Sequence, residues 1–127
     1  MGRIDRDSDV VVVGSGGAAL LAAFAAADSG ASVTVIERAA QFGGTTSVSG
    51  GLLWIPLNRH LREAGIEETR ARAIRYLQRV TAGRVRSELI ETFVDTAHRT
   101  IDFLEERTPV RVAPMLKFPD YRPEFEG

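Results

Sequence analysis

Hydrophobic residues near the start of the chain follow two periods in succession. Four consecutive valines occupy positions 10–13, and a second β-branched apolar run occupies positions 33–36. Uninterrupted runs of this kind are typical of strands that are buried on both faces of a parallel sheet. Between the runs, apolar residues recur at helical spacing, and Gly30 stands where a helix C′ glycine belongs. The helical stripe comprises Leu20, Leu21, Phe24 and Ala27. The pattern therefore predicts an α/β fold that opens with a strand, a helix and a second, parallel strand.

The rest of the chain has mainly helical periodicity. It predicts a short helix over residues 58–64, a longer one over 67–81, and a third from Ser87 to Arg107, where Pro109 follows. The inward positions of the second helix are Ala73, Ile74, Leu77 and Val80, and those of the third are Ile90, Phe93, Val94, Ala97, Ile101 and Leu104. Ser87 is the predicted cap of the third helix. Residues 110–118 are β-prone and are predicted to begin a β region.

The junction between the first strand and the first helix is rich in glycine. Gly14 permits a tight turn, Gly16 allows backbone to approach a pyrophosphate, and Ala19 keeps the helix close to the strand. The helix N-terminus offers unpaired N–H groups to phosphates. Glu37 follows about twenty residues later, where an acid accepts a hydrogen bond from a ribose 2′-OH. We therefore predict binding of an adenine dinucleotide without a 2′-phosphate; the alternative is an ordinary βαβ unit with a glycine-rich turn.

A second segment rich in glycine and hydroxyl residues lies between positions 43 and 51. Its two Gly-Gly pairs and intervening hydroxyls are suited to line a polar, partly anionic ligand, although a mobile surface loop has the same composition. Trp54 follows and is interpreted as a packing anchor. The arginines around residues 70–86 are interpreted as a solvated helix face. His60 and His98 are interpreted as structural residues, and no metal site is expected.

Composition narrows the functional classes further. The chain has 127 residues, the length of one ordinary domain, and a net charge of −1, which gives no indication of nucleic acid or an anionic membrane as a partner. It contains no cysteine, which excludes disulfides and thiol nucleophiles and fits a cytoplasmic location. Residues 10–27 superficially resemble a signal peptide or a short membrane span, but acidic residues precede them and glycines interrupt them. We expect no membrane span.

Four motifs together resemble those of a known family. The sequences VVVGSGGAAL, VIE, FGGTTSVSGGLLWIP and FPDY are similar to those of the flavin-dependent 3-ketosteroid Δ1-dehydrogenases. These enzymes belong to a wider FAD-binding group that includes fumarate reductase flavoproteins. The resemblance runs from about Asp9 to the last residue. Fumarate reductase relatives carry an asparagine where Thr45 stands and lack the residues that match Trp54 and Pro56.

The resemblance implies FAD as cofactor and a ketosteroid or another ketone as substrate. Residues that match the family's FAD contacts are Gly14, Ser15, Gly16, Gly17 and Ala18 at the pyrophosphate, Glu37 and Arg38 at the adenosine, Gly43, Gly44, Thr45 and Thr46 along the pyrophosphate and ribityl chain, and Ser49, Gly50 and Gly51 at the isoalloxazine. Tyr121 matches a tyrosine that hydrogen-bonds the catalytic base. Asp120 is expected to fix the turn beside it. The implied reaction removes two hydrogens α,β to the ketone, with a hydride passing to FAD.

The resemblance also implies an incomplete arrangement. We expect residues 1–57 to be the first part of an FAD-binding domain, 58–108 a helical segment, and 109–127 the start of a catalytic domain. On this reading the chain is the N-terminal portion of an enzyme, and alone it is poorly stable and inactive. The alternatives are a fumarate- or enoate-reductase type flavoprotein and a non-catalytic remnant that binds a dinucleotide weakly. An NAD-dependent dehydrogenase is disfavoured by the second glycine segment, and oligomeric state is left open.

Overall fold

A computed structural model describes residues 7–126. Residues 1–6 of the expected FAD-binding part and residue 127 of the expected catalytic part lie outside this range. The chain divides into two compact units, Met1–Leu53 and Trp54–Gly127. None of the helices between residues 7 and 126 has the length and apolar character needed to cross a membrane.

The first unit contains the predicted strand–helix–strand arrangement. Strand β1 (Val10–Val13) pairs in parallel with strand β2 (Val33–Ile36), and helix α1 (Gly17–Asp28) connects them. Val10 is opposite Val33 and Val13 is opposite Ile36. Within residues 7–126, the sheet consists of these two strands. The α/β prediction and the parallel pairing are therefore confirmed.

The prediction of strands buried on both faces is wrong for this unit. Val10 and Val12 are half-buried, whereas Val11 is exposed and the side chain of Val13 is 81% exposed. Half-buried and exposed valines alternate because α1 packs on one face of the sheet, and the other face has no covering layer within the unit. The predicted stripe on α1 is also shifted, since Ala23 is its buried residue.

The second unit is helical, and its main helices pack against each other. Its helices are α2 (Arg59–Glu63), α3 (Arg70–Thr81) and α4 (Ser87–Arg107). Helix α3 begins three residues later than predicted because the Thr69 hydroxyl accepts a hydrogen bond from the Arg72 N–H at 3.3 Å and caps the helix there. Ser87 is the first helical residue of α4 rather than its cap, and Arg86, at the cap position, makes no side-chain capping bond.

The apolar core of the second unit lies between α3 and α4. Its buried residues are Ala73, Tyr76, Ile90, Val94, Ala97 and Ile101. The predicted inward position Val80 is exposed, and Tyr76 takes its place in the core. Trp54 stacks on Tyr76 with ring centroids 5.4 Å apart and on Phe93 at 6.2 Å, which supports its interpretation as a packing anchor.

A buried carboxylate connects three segments of the second unit. Glu105 lies on the buried side of α4, and its Oε1 accepts a hydrogen bond from the Val112 N–H at 3.0 Å. Its Oε2 lies 2.9 Å from His60 Nε2 and also accepts a hydrogen bond from the Arg59 guanidinium. The bond from Val112, followed by those from His60 and Arg59, lowers the pKa of Glu105 to about 2. His60 therefore has a structural contact.

Residues 109–126 form turns, and the predicted β region is not found among them. Prolines recur through this segment and remove backbone donors. Side chains connect this segment to the helices instead. Glu105 of α4 accepts the Val112 N–H, and Arg75 of α3 pairs with Glu126 at 2.8 Å. The neighbouring arginine Arg70 is exposed and pairs with Asp95 at 2.6 Å. Exposed pairs of this kind each stabilise a protein by about 0–1 kcal/mol.

We predict that Glu105→Gln lowers the thermal unfolding midpoint of the second unit most at neutral pH. The native pKa is depressed, so the stabilisation is present above the ordinary value of 4.5 and is lost as the pH falls towards about 2. The difference between wild type and variant should therefore shrink across that range. The single tryptophan, Trp54, lies in this unit and provides the fluorescence signal.

Glu106→Gln is the matched control, because Glu106 is the exposed neighbour on the same helix. It should leave the midpoint nearly unchanged at every pH. A constant difference between wild type and Glu105→Gln from pH 7 to pH 2 would contradict the role assigned to the ionised carboxylate.

Candidate functional site

The first glycine loop joins β1 to α1. Gly14 has a φ of +98°, a left-handed conformation that favours glycine, and its N–H donates to the Ile36 carbonyl at 2.7 Å. Gly16 occupies the N-cap position of α1 in an extended conformation and has no side chain to cap the helix. The N-terminal amides of α1 must therefore find partners elsewhere.

The second glycine loop packs against the first. Gly43 has a φ of +113°, and a Cβ atom placed on it would lie 2.6 Å from the Cβ of Ser47. A Cβ on Gly44 would lie 3.5 Å from the Cα of Gly16. A side chain at Gly43 would therefore clash within the second loop itself, and the short distance from Gly44 to Gly16 shows that the two loop backbones lie close together. A 3₁₀ turn, Gly44–Val48, follows directly.

Two side-chain hydroxyls hold the loops together reciprocally. Ser15 in the first loop accepts a hydrogen bond from the Gly43 N–H of the second loop at 2.9 Å. Thr46 in the second loop accepts one from the Gly17 N–H of the first loop, also at 2.9 Å. We call these two bonds the hydroxyl clasp. Each loop thus satisfies a backbone donor of the other, and Thr46 caps α1 in place of Gly16.

The hydroxyl clasp continues to Glu37 at the end of β2. Ser15 is 2% exposed and donates its hydroxyl proton to Glu37 Oε2 at 2.5 Å. Glu37 Oε1 accepts a hydrogen bond from the Ala39 N–H at 2.8 Å. These bonds, first that from Ala39 and then that from Ser15, lower the pKa of Glu37 below its ordinary value. Glu37 is therefore an ionised acceptor at neutral pH.

The polar groups of this region fit the ADP half of FAD. The amides of Ala18 and Ala19, in the first turn of α1, have no hydrogen-bond partner within residues 7–126. They are donors for a phosphate at a helix N-terminus. A carboxylate has about four lone-pair sites, and the two bonds to Glu37 use two of them, so ribose hydroxyls have acceptors there.

The remaining predicted FAD contacts in the first unit are exposed. These residues are Arg38, Thr45, Ser49, Gly50 and Gly51. Ser49 has local bonds, because its hydroxyl donates to the Thr46 carbonyl at 2.8 Å and accepts from the Gly51 N–H at 3.2 Å. The side chains of Arg38 and Thr45 make no hydrogen bond to any residue between 7 and 126. Their roles stay predictions.

Tyr121 lies in the second unit, and its side chain is 93% exposed. Its N–H donates to Asp120 Oδ1 at 2.6 Å, and Asp120 Oδ2 accepts a hydrogen bond from the Tyr76 hydroxyl. Burial of the phenol, together with the adjacent Asp120 carboxylate, raises the pKa of Tyr76 to about 12. Asp120 thus fixes the turn, as the sequence indicated. A cavity of about 230 Å³ next to it is lined by Trp54, Glu68, Tyr76, Asp120, Arg122, Pro123 and Phe125, and not by Tyr121.

Sequence reasoning did not identify three of these functions. The sequence places Ser15 in the predicted pyrophosphate loop, but no local pattern indicates that its hydroxyl contacts Glu37 and Gly43. Nor does a local pattern indicate that Thr46, which stays a predicted FAD contact, caps α1. The N-cap glycine at position 16 was a usable signal, because a helix without a capping side chain needs a donated acceptor. Tyr76 is three residues from Ala73, which is the spacing of a shared helix face.

A protein-family model described as an FAD binding domain matches residues 9–124, which is more than half of the chain. Among curated proteins, a 4-oxocyclohexanecarboxylate 2-dehydrogenase of Sinomonas cyclohexanicum is 46% identical over 119 residues and 94% of this chain. A 3-oxosteroid 1-dehydrogenase of Mycolicibacterium smegmatis is 38% identical over 122 residues and 96% of this chain. In both cases the match covers 21% of the relative, so the chain spans about a fifth of the length of these proteins.

A solved structure agrees with these matches. The crystal structure of the 3-ketosteroid Δ1-dehydrogenase of Sterolibacterium denitrificans, in complex with 1,4-androstadiene-3,17-dione, matches with a TM-score of 0.85 and 34% sequence identity. The match covers 94% of this chain and 21% of that protein. The resemblance that the motifs indicated is therefore confirmed in both sequence and structure.

We predict that Gly43→Ala opens the first unit locally. The new methyl group would meet Ser47 at 2.6 Å in a left-handed backbone conformation, and strain of this kind costs about 1–3 kcal/mol. Hydrogen–deuterium exchange should become about 5- to 150-fold faster in peptides from both glycine loops. Gly50→Ala is the control, because a Cβ there would meet nothing within 4 Å. Equal exchange rates in the two variants would contradict the close packing around Gly43.

Proposed function

Because the chain belongs to the family of FAD binding domains, we propose that its first unit binds the ADP half of FAD within a flavoprotein dehydrogenase of cyclic ketones. The observation that carries the first part is the juxtaposition of an ionised Glu37 with two unpaired amides at the α1 N-terminus. The hydroxyl clasp holds both features on one scaffold.

The proposed contacts follow the elements of the first unit. The amides of Ala18 and Ala19 donate to the pyrophosphate, and the glycines of the first loop let it approach the backbone. Glu37 accepts hydrogen bonds from the adenosine ribose, and Arg38 lies beside the adenine. In our proposal the second glycine loop extends the site towards the ribityl chain and the isoalloxazine. Its contributing residues are Gly43, Gly44, Thr45, Thr46, Ser49, Gly50 and Gly51.

The proposed reaction is α,β-dehydrogenation next to a ring ketone. The Sinomonas and Mycolicibacterium relatives are each named as a dehydrogenase of a compound with an oxo group on a ring. These names favour this reaction over the fumarate-reductase alternative. FAD, when bound, supplies the hydride acceptor. Tyr121 donates a hydrogen bond to a basic group that lies outside residues 7–126. The near-complete exposure of its side chain supports this role.

Two further assignments belong to the same proposal. We assign residues 1–57 to the FAD-binding part, 58–108 to a helical segment and 109–127 to the beginning of the catalytic part. We also propose a cytoplasmic location, with which the cysteine-free composition agrees.

We predict that the chain binds FAD more tightly than FMN, because FMN lacks the ADP half. Glu37→Gln should weaken FAD binding by about 10- to 150-fold, the range that a lost hydrogen bond to a charged group produces, and should leave FMN binding unchanged. Glu67→Gln, a change at an exposed glutamate of the second unit, is the control. Flavin fluorescence titrations measure all three proteins. Equal affinity of the wild-type chain for FAD and FMN would refute the proposed ADP site.

The role of Tyr121 can be tested in a chimera. This chain would replace the matching fifth of the Sinomonas 4-oxocyclohexanecarboxylate 2-dehydrogenase, to which it is 46% identical. Tyr121→Phe should lower kcat by about 100-fold or more, because hydrogen-bonding groups in acid–base catalysis typically contribute that much. FAD content should be unchanged and serves as the control. A variant with an unaltered kcat would exclude Tyr121 from the catalytic machinery.

A further inference from the structure

We propose that Ser15 is a positioning residue for the adenosine ribose, acting through Glu37. The inference rests on the proposed function, since it concerns how the same ADP site is held ready. The Ser15 hydroxyl makes one hydrogen bond to Glu37 and one to Gly43.

Burial separates the Ser15 hydroxyl from any ligand. The residue is only 2% exposed, and the Gly43 that it contacts is also buried. A bound nucleotide reaches backbone and the Glu37 carboxylate, but not this hydroxyl. Any effect of Ser15 on ligand affinity therefore passes through the groups that it holds.

The chemistry of the partners fixes the direction of both hydrogen bonds. A hydroxyl has one proton, and an ionised carboxylate can only accept. The Ser15 proton therefore points to Glu37, at 2.5 Å, and the Gly43 N–H donates to a lone pair of the same oxygen, at 2.9 Å. While Glu37 is ionised, these two hydrogen bonds have no alternative direction.

Glu37 is held on both of its oxygens. Ser15 binds Oε2 and the Ala39 N–H binds Oε1, at 2.8 Å. Without Ser15 one of these two restraints is lost, and the side chain regains rotamer freedom that a ligand must remove on binding. Contacts to a ribose hydroxyl should weaken, whereas contacts of the phosphates to the α1 amides should not depend directly on this restraint.

This difference can be measured with ADP and 2′-deoxy-ADP, titrated calorimetrically into the chain. The wild-type chain should prefer ADP by about tenfold or more, the value of one hydrogen bond to a charged group. Ser15→Ala should reduce that preference at least threefold, Glu37→Ala should abolish it because no acceptor remains, and the double variant should match Glu37→Ala. Thr46→Ala is the control. It removes the other hydroxyl of the clasp but no contact to Glu37, so it should weaken both nucleotides together and keep their ratio.

A second measurement needs no ligand and guards against a general loss of structure. Carboxyl ¹³C chemical shifts of Glu37, followed against pH, should show that its pKa rises towards the ordinary value in Ser15→Ala and not in Thr46→Ala. An unchanged nucleotide preference in Ser15→Ala, or an equal loss in Thr46→Ala, would overturn the inference while leaving nucleotide binding intact. If the wild-type chain bound neither nucleotide, the proposed function would fail, and this inference with it.

Discussion

Two glycine loops, separated by almost thirty residues in the sequence, approach so closely that each provides the hydrogen-bond acceptor for a backbone donor of the other. The first unit depends on this reciprocity. Each bond contributes only about 0.5–1.5 kcal/mol in net terms, but the buried Gly43 amide, if left without its partner, would be destabilising by about 1–3 kcal/mol. Glycine at position 17 makes the approach possible, since a side chain there would meet Thr46 of the second loop at 3.2 Å. The candidate ADP site is thus a consequence of how the loops pack.

The second unit is organised by a different kind of interaction. Its helices pack through small and β-branched residues at Ala73 and Val94, both fully buried. Its long proline-containing segment has no sheet to join, and the buried carboxylate of Glu105 supplies the acceptor that a neighbouring strand would otherwise provide. Asp120 does the same for the Tyr121 amide. In both places a carboxylate accepts a backbone N–H of the irregular segment; Glu105 does so from helix α4, and Asp120 from within the segment, where the Tyr76 hydroxyl binds it.

The order of strands and helices could be predicted from the sequence, because the spacing of apolar residues reflects the local preference for strand or helix. The positions of Gly14 and Glu37 were also predictable, since their roles depend on backbone conformation and on distance along a βαβ unit. The hydroxyl clasp was not predictable from local pattern, because it depends on a tertiary contact between two loops. The exposure of Val13 was missed for a related reason: a β-branched run indicates a strand but does not show which layers cover it. The tail was misjudged because β-prone residues such as Val110 and Val112 form strands only where a partner edge is available.

The hydroxyls of Ser15 and Thr46 hold the two loops of the candidate ADP site together without any ligand. Amide hydrogen exchange, followed by NMR at Gly17 and Gly43 in the ligand-free chain and again with saturating ADP, measures whether the loops are preformed. We expect both amides to be protected already without ADP, because Thr46 and Ser15 accept their hydrogen bonds, and the Ala18 and Ala19 amides to become protected only when ADP is added. Protection of Gly17 and Gly43 that appeared only with ADP would show that the ligand assembles the loops, and would contradict a preformed site.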